Sequence, residues 1–339
     1  IMFEAAEKLV HGNSINTSYR SELQQEACYG ADFLVRMQDP EGYFYMTVFD
    51  NWSGDPEKRE ICSYKGQNGV RSAEYQAGFR QGGGMAIAAL ARAGRAGVGG
   101  EFSKEQYIQT AELGFDHLLK NNLNYLDDRT ENIIDDYCFL LAAVELYKTI
   151  NDERYLDHAR TRSQMLINRL YTDSNYSGWW RADEEGFRPF FHASDAGLPL
   201  IALCKFLEIE ADKDIREEII LSIQKAVNFE IEISNEITNP FGYPRQYIKA
   251  VDETKPKASF FIPHNNETGY WWQGENARIA SLASALLMAR SYLTNESKKK
   301  ADVYARDQIN WILGLNPFNT CMLDGTGNNN PEYIESVNV

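Results

Sequence analysis

The sequence has few cysteines, no long apolar run and a deficit of basic residues. Lys and Arg number 34 against 49 Asp and Glu in 339 residues, which gives a formal net charge of −15 at pH 7. Because no basic excess is present to meet phosphate groups, this balance argues against a nucleic-acid partner. No apolar run approaches the ~18 residues of a membrane-spanning helix, so no membrane partner is predicted. Apolar residues at 43% and charged residues at 24% are ordinary for a globular protein.

Cysteine and histidine are placed in a way that argues against metal sites and disulfides. The five cysteines form no C-x-x-C pair and are Cys28, Cys62, Cys138, Cys204 and Cys321. An odd, scattered set predicts free buried thiols in a reducing compartment. The histidines show no metal-ligand spacing, so no metal and no cofactor are predicted. The first residues do not resemble a secretion signal, and a cytoplasmic or periplasmic location is the expectation.

Amphipathic helical patterns follow one another along the chain, while period-two alternation is weak. Small and apolar residues fill 84–93 almost completely, which indicates a helix buried on most faces. Further helices are predicted over 21–37, 104–119, 133–148, 153–170, 196–207, 215–231, 276–293 and 298–313. One strand-like piece covers 43–49. Because no Pro- or Ser-rich linker interrupts this series, we expect one all-α domain over residues 1–339, built from stacked helical hairpins.

The loops that enter alternate helices are long and rich in aromatic and polar residues, whereas the intervening loops are short. These rich loops precede the helices predicted to begin near 84, 133, 196 and 276. In a ring of helical hairpins alternate helices point the same way, so the rich loops should gather on one functional face. The helices that they enter, 84–93 and 276–287 among them, should form the inner ring.

The sequence contains no H-E-x-x-H, G-x-S-x-G or P-loop motif. The candidate functional groups that remain are carboxylates beside aromatic rings. Sugars suit that mixture, because their C–H faces stack on rings and their hydroxyls bond to carboxylates, amides and histidines. Six residues in these loops or helix starts are predicted to bind substrate: Asp135, Asp136, His264, Trp271, Trp272 and Glu275. For the acids the alternative is stabilisation of a helix N-terminus, for the tryptophans core packing, and for the histidine a structural hydrogen bond.

The acidic residues also bear on the charge of the substrate. The negative balance and the clusters at 127–128 and 135–136 favour a cationic amino sugar over a neutral one, because an ammonium group bonds strongly to a carboxylate. The alternative, in which these acids only keep the surface soluble, stays open.

Three stretches resemble glycoside hydrolase family nine. The stretch 307–317, D-Q-I-N-W-I-L-G-L-N-P, is similar to that family's D-Q-[IL]-[ND]-[YW]-[IVL]-L-G-x-N-P segment. Residues 142–147 are similar to its A-A-x-E-L-Y helix, and residues 38–45 also fit the family's pattern. The resemblance implies an (α/α)6 barrel of six helical hairpins. It also implies a hydrolase that cleaves β-linked gluco-configured sugars, such as glucosaminides or cello-oligosaccharides, by an inverting acid/base mechanism. Residues 75–90 and 264–278 look like a bacterial endoglucanase-related branch with exo-glucosaminidase or cellobiase-like members.

The family's two catalytic carboxylates have no counterpart at the expected positions. The base motif precedes the part that matches residues 20–45, and the acid follows the D-Q-I-N-W stretch by many residues. Asp195 in S-D-A-G and Glu275 in W-Q-G-E look like these motifs but stand in the wrong order. We therefore expect an internal portion of a longer enzyme, a barrel incomplete at both ends, with the catalytic pair outside this chain.

Two further interpretations stay open. One is another (α/α)6 enzyme, such as a sugar epimerase or polysaccharide lyase, in which His192 or His264 removes a ring proton. The other is a non-catalytic carbohydrate-binding barrel that has lost its acid and base.

Overall fold

The computed structural model describes residues 1–9, 14–64, 74–184, 188–262, 265–266 and 274–332. The chain divides into two compact units, Ile1–Arg162 (the N-terminal unit) and Ser163–Val339 (the C-terminal unit). The expectation of a single domain over the whole chain stays a prediction. The described residues form ten α-helices and eight short strands.

The N-terminal unit is built from helices and two small antiparallel ladders. Its helices are α1 (Met2–Lys8), α2 (Ser14–Arg36), α3 (Gly83–Ala96), α4 (Lys104–Tyr125), α5 (Ile133–Ile150) and most of α6 (Glu153–Ile167). Its strands are β1 (Phe44–Tyr45), β2 (Thr47–Phe49), β3 (Glu60–Cys62) and β4 (Gln76–Ala77), of which β1 pairs with β4 and β2 with β3. The strand-like piece predicted at 43–49 is thus two short strands that join different partners.

Helices α3 and α5 form the core of the N-terminal unit. α3 packs against α4 and α5, and most residues of α3 and α5 are buried. In α3 the buried side chains include Ile87 and Leu90, both fully inaccessible. The burial predicted for 84–93 is confirmed, because small residues let this helix approach its neighbours closely.

The C-terminal unit follows the same plan. Its helices are the end of α6, α7 (Leu198–Leu207), α8 (Lys213–Asn235), α9 (Glu275–Ala289) and α10 (Asn295–Ile312). Its strands pair as β5 (Leu170–Thr172) with β6 (Ser177–Trp180) and β7 (Gln246–Ile248) with β8 (Lys257–Ser259), both antiparallel. In α9 Ile279 and Leu286 are buried while Leu287 is 46% exposed. The helix therefore buries one face, and the burial on several sides predicted for 276–287 is wrong.

Side-chain caps define where several helices begin. Ser103, Asn132, Asp212 and Thr294 each accept a backbone amide hydrogen bond at the start of α4, α5, α8 and α10 respectively. Such caps satisfy amide groups that have no partner inside the helix. The predicted starts at 104 and 133 coincide with two of these caps.

The cysteine side chains lie inside the two units. All five cysteines are buried thiols, as predicted. In the part of the chain that the structure describes, no helix combines the length and apolar character required to cross a membrane.

Candidate functional site

The six residues predicted to bind substrate divide into two groups. His264, Trp271 and Trp272 lie outside the described residues. Asp135 and Asp136 lie at the start of α5 in the N-terminal unit, and Glu275 lies at the start of α9 in the C-terminal unit.

Asp135 is fully buried and closes the first turn of α5. Its Oδ2 accepts the backbone amide of Asn132 at 3.0 Å, and the Asn132 side chain in turn caps the helix. Its carboxylate also accepts bonds from the Asn122 amide at 3.3 Å and from the Arg80 backbone and guanidinium at 3.3 Å. Burial raises the pKa of Asp135 to about 6 even with these donors.

Asp136 is also fully buried and is paired with a cation. Arg162 Nη1 donates to its Oδ1 at 2.9 Å and to Glu131 Oε2 at 2.6 Å. The guanidinium of Arg162 lies 4.2 Å above the Phe139 ring. Asp135 and Asp136 thus have capping and ion-pairing roles in the N-terminal unit, and a role for either in binding a ligand stays a prediction.

The two rich loops of the N-terminal unit meet through Arg80. This residue, just before α3, donates to the Thr130 carbonyl at 2.9 Å and to Asp128 at 2.9 Å in the loop before α5. Within this unit the loops therefore come together as predicted. The acidic clusters at 127–128 and 135–136 favoured a cationic sugar in the sequence. In the structure a guanidinium of the protein itself pairs with these acids, since Arg80 forms ion pairs with both Asp128 and Asp135.

An open groove of about 640 Å³ lies beside the rich loop that enters α3. Its aromatic rings come from α2, from the two ladders and from Tyr64, which follows β3. Among its polar groups, Asp50 and Arg59 lie between β2 and β3, and Gln81 lies just before α3. The lining includes Phe33, Phe44, Tyr45, Phe49, Tyr64, Asp50, Arg59 and Gln81. The sequence prediction missed this groove, although the aromatic run at 43–49 was a signal for it.

Glu275 is the predicted site residue whose carboxylate reaches the surface in the C-terminal unit. Its side chain is 36% exposed, whereas its partner Arg278 is 1% exposed. Arg278 donates to it through Nη2 at 2.6 Å and Nε at 3.1 Å, and the Tyr243 hydroxyl donates to it from below. A carboxylate with donors on its buried side and solvent on the other keeps lone pairs available for a ligand.

The loop before α7 lies against α9, so the two rich loops of this unit also meet. The Gly197 amide donates to Ser281 Oγ at 3.0 Å. A Cβ at Gly197 would lie 2.1 Å from the Ser281 carbonyl oxygen, so only glycine permits this approach. The backbone of Gly274, next to Glu275, lies against Ala193 of the same loop.

His192 stands in this loop as a neutral ring. Its Nδ1 accepts the backbone amides of Ser194 at 3.2 Å and Asp195 at 3.0 Å, which places the proton on Nε2. Burial lowers the pKa of His192 and favours the same neutral form. His192 is therefore suited to donate a hydrogen bond through Nε2, because the lone pair on Nδ1 already accepts hydrogen bonds inside the loop. Asp195 accepts the Ser194 hydroxyl at 2.8 Å.

A small cavity of about 30 Å³ lies inside the C-terminal unit, between α8 and α9. Its wall includes Trp179, Phe190 and Phe191 together with the charged side chains of Glu230, Arg245 and Arg278. Burial raises the pKa of Glu230 to about 7, and the nearby Arg278 opposes that rise. Glu230 was not predictable from the sequence, because it is one of several glutamates on an amphipathic helix.

Within the described ranges no group of three or more His, Cys, Asp and Glu side chains is arranged to hold a metal ion.

Comparisons with known proteins give a family and a fold. A family model described as Glycosyl hydrolase family 9 matches residues 8–337. No curated protein matches the chain. Among solved structures, a Zn-binding triple mutant of the GH family 9 endoglucanase J30 has 19% identity and a TM-score of 0.57, over 97% of this chain and 55% of that chain. The endoglucanase CelQ from Clostridium thermocellum, complexed with cellotriose, has 15% identity and a TM-score of 0.55, over 97% and 50%.

The similar solved structures indicate the fold class of this chain and how much of each known structure it covers. A sugar epimerase from a ruminal bacterium is also similar, at 14% identity and a TM-score of 0.56 over 92% of this chain and 72% of that chain. The present chain spans about half the length of the endoglucanase structures that it matches. The helical content and these neighbours confirm the predicted all-α fold of the (α/α)6 barrel class.

Proposed function

The chain belongs to glycosyl hydrolase family 9, and from this premise we propose that its protein hydrolyses β-linked gluco-configured oligosaccharides, with cello-oligosaccharides as the first substrate class. The observation that carries the proposal is the family match over residues 8–337, which includes both units. The endoglucanases of similar structure, one of them complexed with cellotriose, support the choice of substrate class.

The surface of each unit offers the chemistry that a sugar requires. In the N-terminal unit the groove presents Tyr45, Phe49 and Tyr64 beside Asp50 and Arg59. Flat rings stack on the C–H faces of a sugar, and charged groups bond to its hydroxyls. We assign this groove to substrate binding.

In the C-terminal unit the binding groups are Glu275 and His192. The Glu275 carboxylate is held by Arg278 and accepts bonds from sugar hydroxyls, while His192 Nε2 donates one. Trp271, Trp272 and His264 precede Glu275 in sequence, and their predicted place in the same binding surface stays a prediction.

The mechanism that we propose is single displacement with inversion at the anomeric carbon. A carboxylate base activates a water, and a carboxylic acid ~6.5–9.5 Å away protonates the leaving oxygen. Asp195 accepts a hydrogen bond from Ser194, and Glu275 accepts hydrogen bonds from Arg278 and Tyr243, so neither is assigned as the acid or the base. That the acid and base lie outside residues 1–339 stays a prediction.

A sugar epimerase is the second candidate, because one solved structure of that activity shares the fold. An epimerase or lyase needs a base with a free lone pair directed at the ring proton. His192 uses its lone pair on two backbone amides, which disfavours it for this role.

The test uses the full-length protein and proton NMR. Cello-oligosaccharides and the corresponding glucosamine oligomers of equal length are supplied separately, and the anomeric signals are followed from the first minutes. We expect hydrolysis with the α-anomer appearing first from a β-linkage. Epimerised product without chain cleavage would replace hydrolysis with the second candidate, and tight binding without any conversion would favour the non-catalytic barrel. A higher kcat/KM for the glucosamine oligomers would establish the amino-sugar preference.

A further inference from the structure

We propose that Tyr243 is a positioning residue, which fixes the Glu275 carboxylate for contact with the substrate and is itself held by the D-Q-x-x-W stretch of α10. This inference rests on the proposed function, in which Glu275 accepts a hydrogen bond from a sugar hydroxyl. It assigns a task to a stretch that otherwise carries only the family resemblance.

The first observation is the arrangement of donors under Glu275. The Tyr243 hydroxyl and the Arg278 Nη2 both donate to Glu275 Oε1, and Arg278 Nε reaches Oε1 and Oε2 at 3.1 Å. Tyr243 is 7% exposed and Arg278 is fully buried. The Arg278 guanidinium lies 5.7 Å from the centre of the Tyr243 ring. Two buried donors that also contact each other leave the carboxylate one orientation, which is what a binding group needs from its supporting shell.

The second observation is the turn that carries Tyr243. Asn239 ties the turn together, since its Nδ2 donates to the Tyr243 carbonyl at 2.7 Å and its Oδ1 accepts the Tyr243 amide at 3.1 Å. Gly242 has a φ of +61°, and a Cβ there would lie 2.6 Å from Asp307 Cβ. The turn is therefore seated directly on Asp307, the first residue of the D-Q-x-x-W stretch.

The third observation is that the other two fixed positions of this stretch contact the same turn. Gln308 is fully buried, and its Nε2 donates to the Gly242 carbonyl at 2.8 Å. The Trp311 ring packs on the Tyr243 ring, with centroids 5.1 Å apart. The turn that presents the Tyr243 hydroxyl to Glu275 is thus contacted by Asp307, Gln308 and Trp311.

The C-terminal unit contains a matched phenol–carboxylate–guanidinium group that supplies the control. Tyr176 donates to Glu236 at 2.7 Å, and Arg245 Nη1 donates to the same Glu236 oxygen at 2.6 Å. The chemistry equals that of Tyr243, Glu275 and Arg278, but it lies at the end of α8 and has no assigned contact with substrate. Tyr176→Phe therefore removes the same kind of hydrogen bond without touching the binding surface.

The experiment is a double-mutant cycle in the full-length protein. Tyr243→Phe, Glu275→Gln and the double variant are compared with Tyr176→Phe, and circular dichroism establishes that each is folded. The readouts are KM and kcat on a cello-oligosaccharide, with its dissociation constant from calorimetry as a measure that does not need turnover. A hydrogen bond to a charged group is worth roughly a tenfold change in affinity or more.

We expect Tyr243→Phe to raise KM and the dissociation constant about tenfold with kcat changed less than threefold, and Tyr176→Phe to change neither. The double variant should be no weaker than Glu275→Gln alone, because Tyr243 acts through Glu275. Gln308→Met, which leaves the Tyr243 ring in place, should shift the affinity in the same direction and lose its effect in the Glu275→Gln background.

Two outcomes overturn the inference in distinguishable ways. If Glu275→Gln leaves both KM and the dissociation constant unchanged, Glu275 does not bind the sugar, and this part of the proposed function fails with the inference. If Glu275→Gln weakens binding while Tyr243→Phe has no effect, or an effect that multiplies with it, the proposed binding role stands and the positioning role of Tyr243 is wrong.

Discussion

The Glu230 carboxyl should make the stability of the C-terminal unit depend on pH in a direction opposite to that of an ordinary ion-paired acid. It lines the cavity between α8 and α9, where burial raises its pKa from 4.5 to about 7. The folded state therefore holds a proton at Glu230 over a pH range in which the unfolded chain releases it. Stability is then fully present below about pH 4.5 and is lost as the pH rises towards 7.

The magnitude follows from the two pKa values. A tenfold change in proton affinity is worth about 1.4 kcal/mol, so the full cost of ionising Glu230 in the fold is about 3 kcal/mol. Of this, roughly 2 to 3 kcal/mol falls between pH 5 and pH 8. Glu230→Gln keeps the shape of the protonated acid and does not titrate, so relative to wild type it should gain that amount between these pH values.

The assay is urea denaturation at pH 5, 6, 7 and 8, followed by tryptophan fluorescence because Trp179 and Trp180 line the same cavity. Glu217→Gln, at an exposed position of α8, is the control and should follow wild type throughout. The comparison between variants cancels the contributions of other titrating groups, such as Asp135 and His192. A difference between Glu230→Gln and wild type that is constant with pH would refute the assignment of a raised pKa to this carboxyl.

Three other perturbations test the packing and the groove. Arg162→Met leaves two carboxylates without their buried cation, so it should lower the free energy of unfolding by about 3–5 kcal/mol in urea denaturation. The control Arg154→Met, at an exposed cluster, should lower it by less than about 1 kcal/mol. Equal losses would contradict the buried pairing. Gly197→Ala forces a Cβ into backbone and should lower the melting temperature by several degrees, while Gly30→Ala, with open space inside α2, should not lower it; an unchanged melting temperature for the first would contradict the close approach. Tyr64→Ala should weaken cello-oligosaccharide binding about tenfold in calorimetry, and unchanged binding would remove the groove from the proposed site.

The positions of helices were predictable where local chemistry fixes their ends. α4 and α5 begin at the predicted residues because Ser103 and Asn132 cap them. α2 begins at Ser14, well before the predicted 21, and α8 continues to Asn235, beyond the predicted 231. At the end of α8, Ile233 and Ser234 are buried, so tertiary packing rather than a local signal decides how far this helix extends.

The surroundings of the site residues were not predictable, because their partners are distant in sequence. Asp135 is paired with Arg80, 55 residues away, and Asp136 with Arg162, 26 residues away. From sequence alone, capping and ligand contact were equally good interpretations of both acids. Glu230 shows the same limit, since its elevated pKa comes from the burial that three-dimensional packing imposes.

The five buried thiols can report local opening of the fold, because a reagent reaches each of them only when its surroundings open. Cys28, Cys62 and Cys138 lie in the N-terminal unit and Cys204 and Cys321 in the C-terminal unit. Burial raises the pKa of Cys204 to about 12, so this thiol is inert to alkylating reagents until its surroundings open. The labelling rate of each cysteine under native conditions therefore measures the free energy of the fluctuation that uncovers it. One mass-spectrometric time course on the unmodified protein would then show which of the two units loosens first, with no engineered probe.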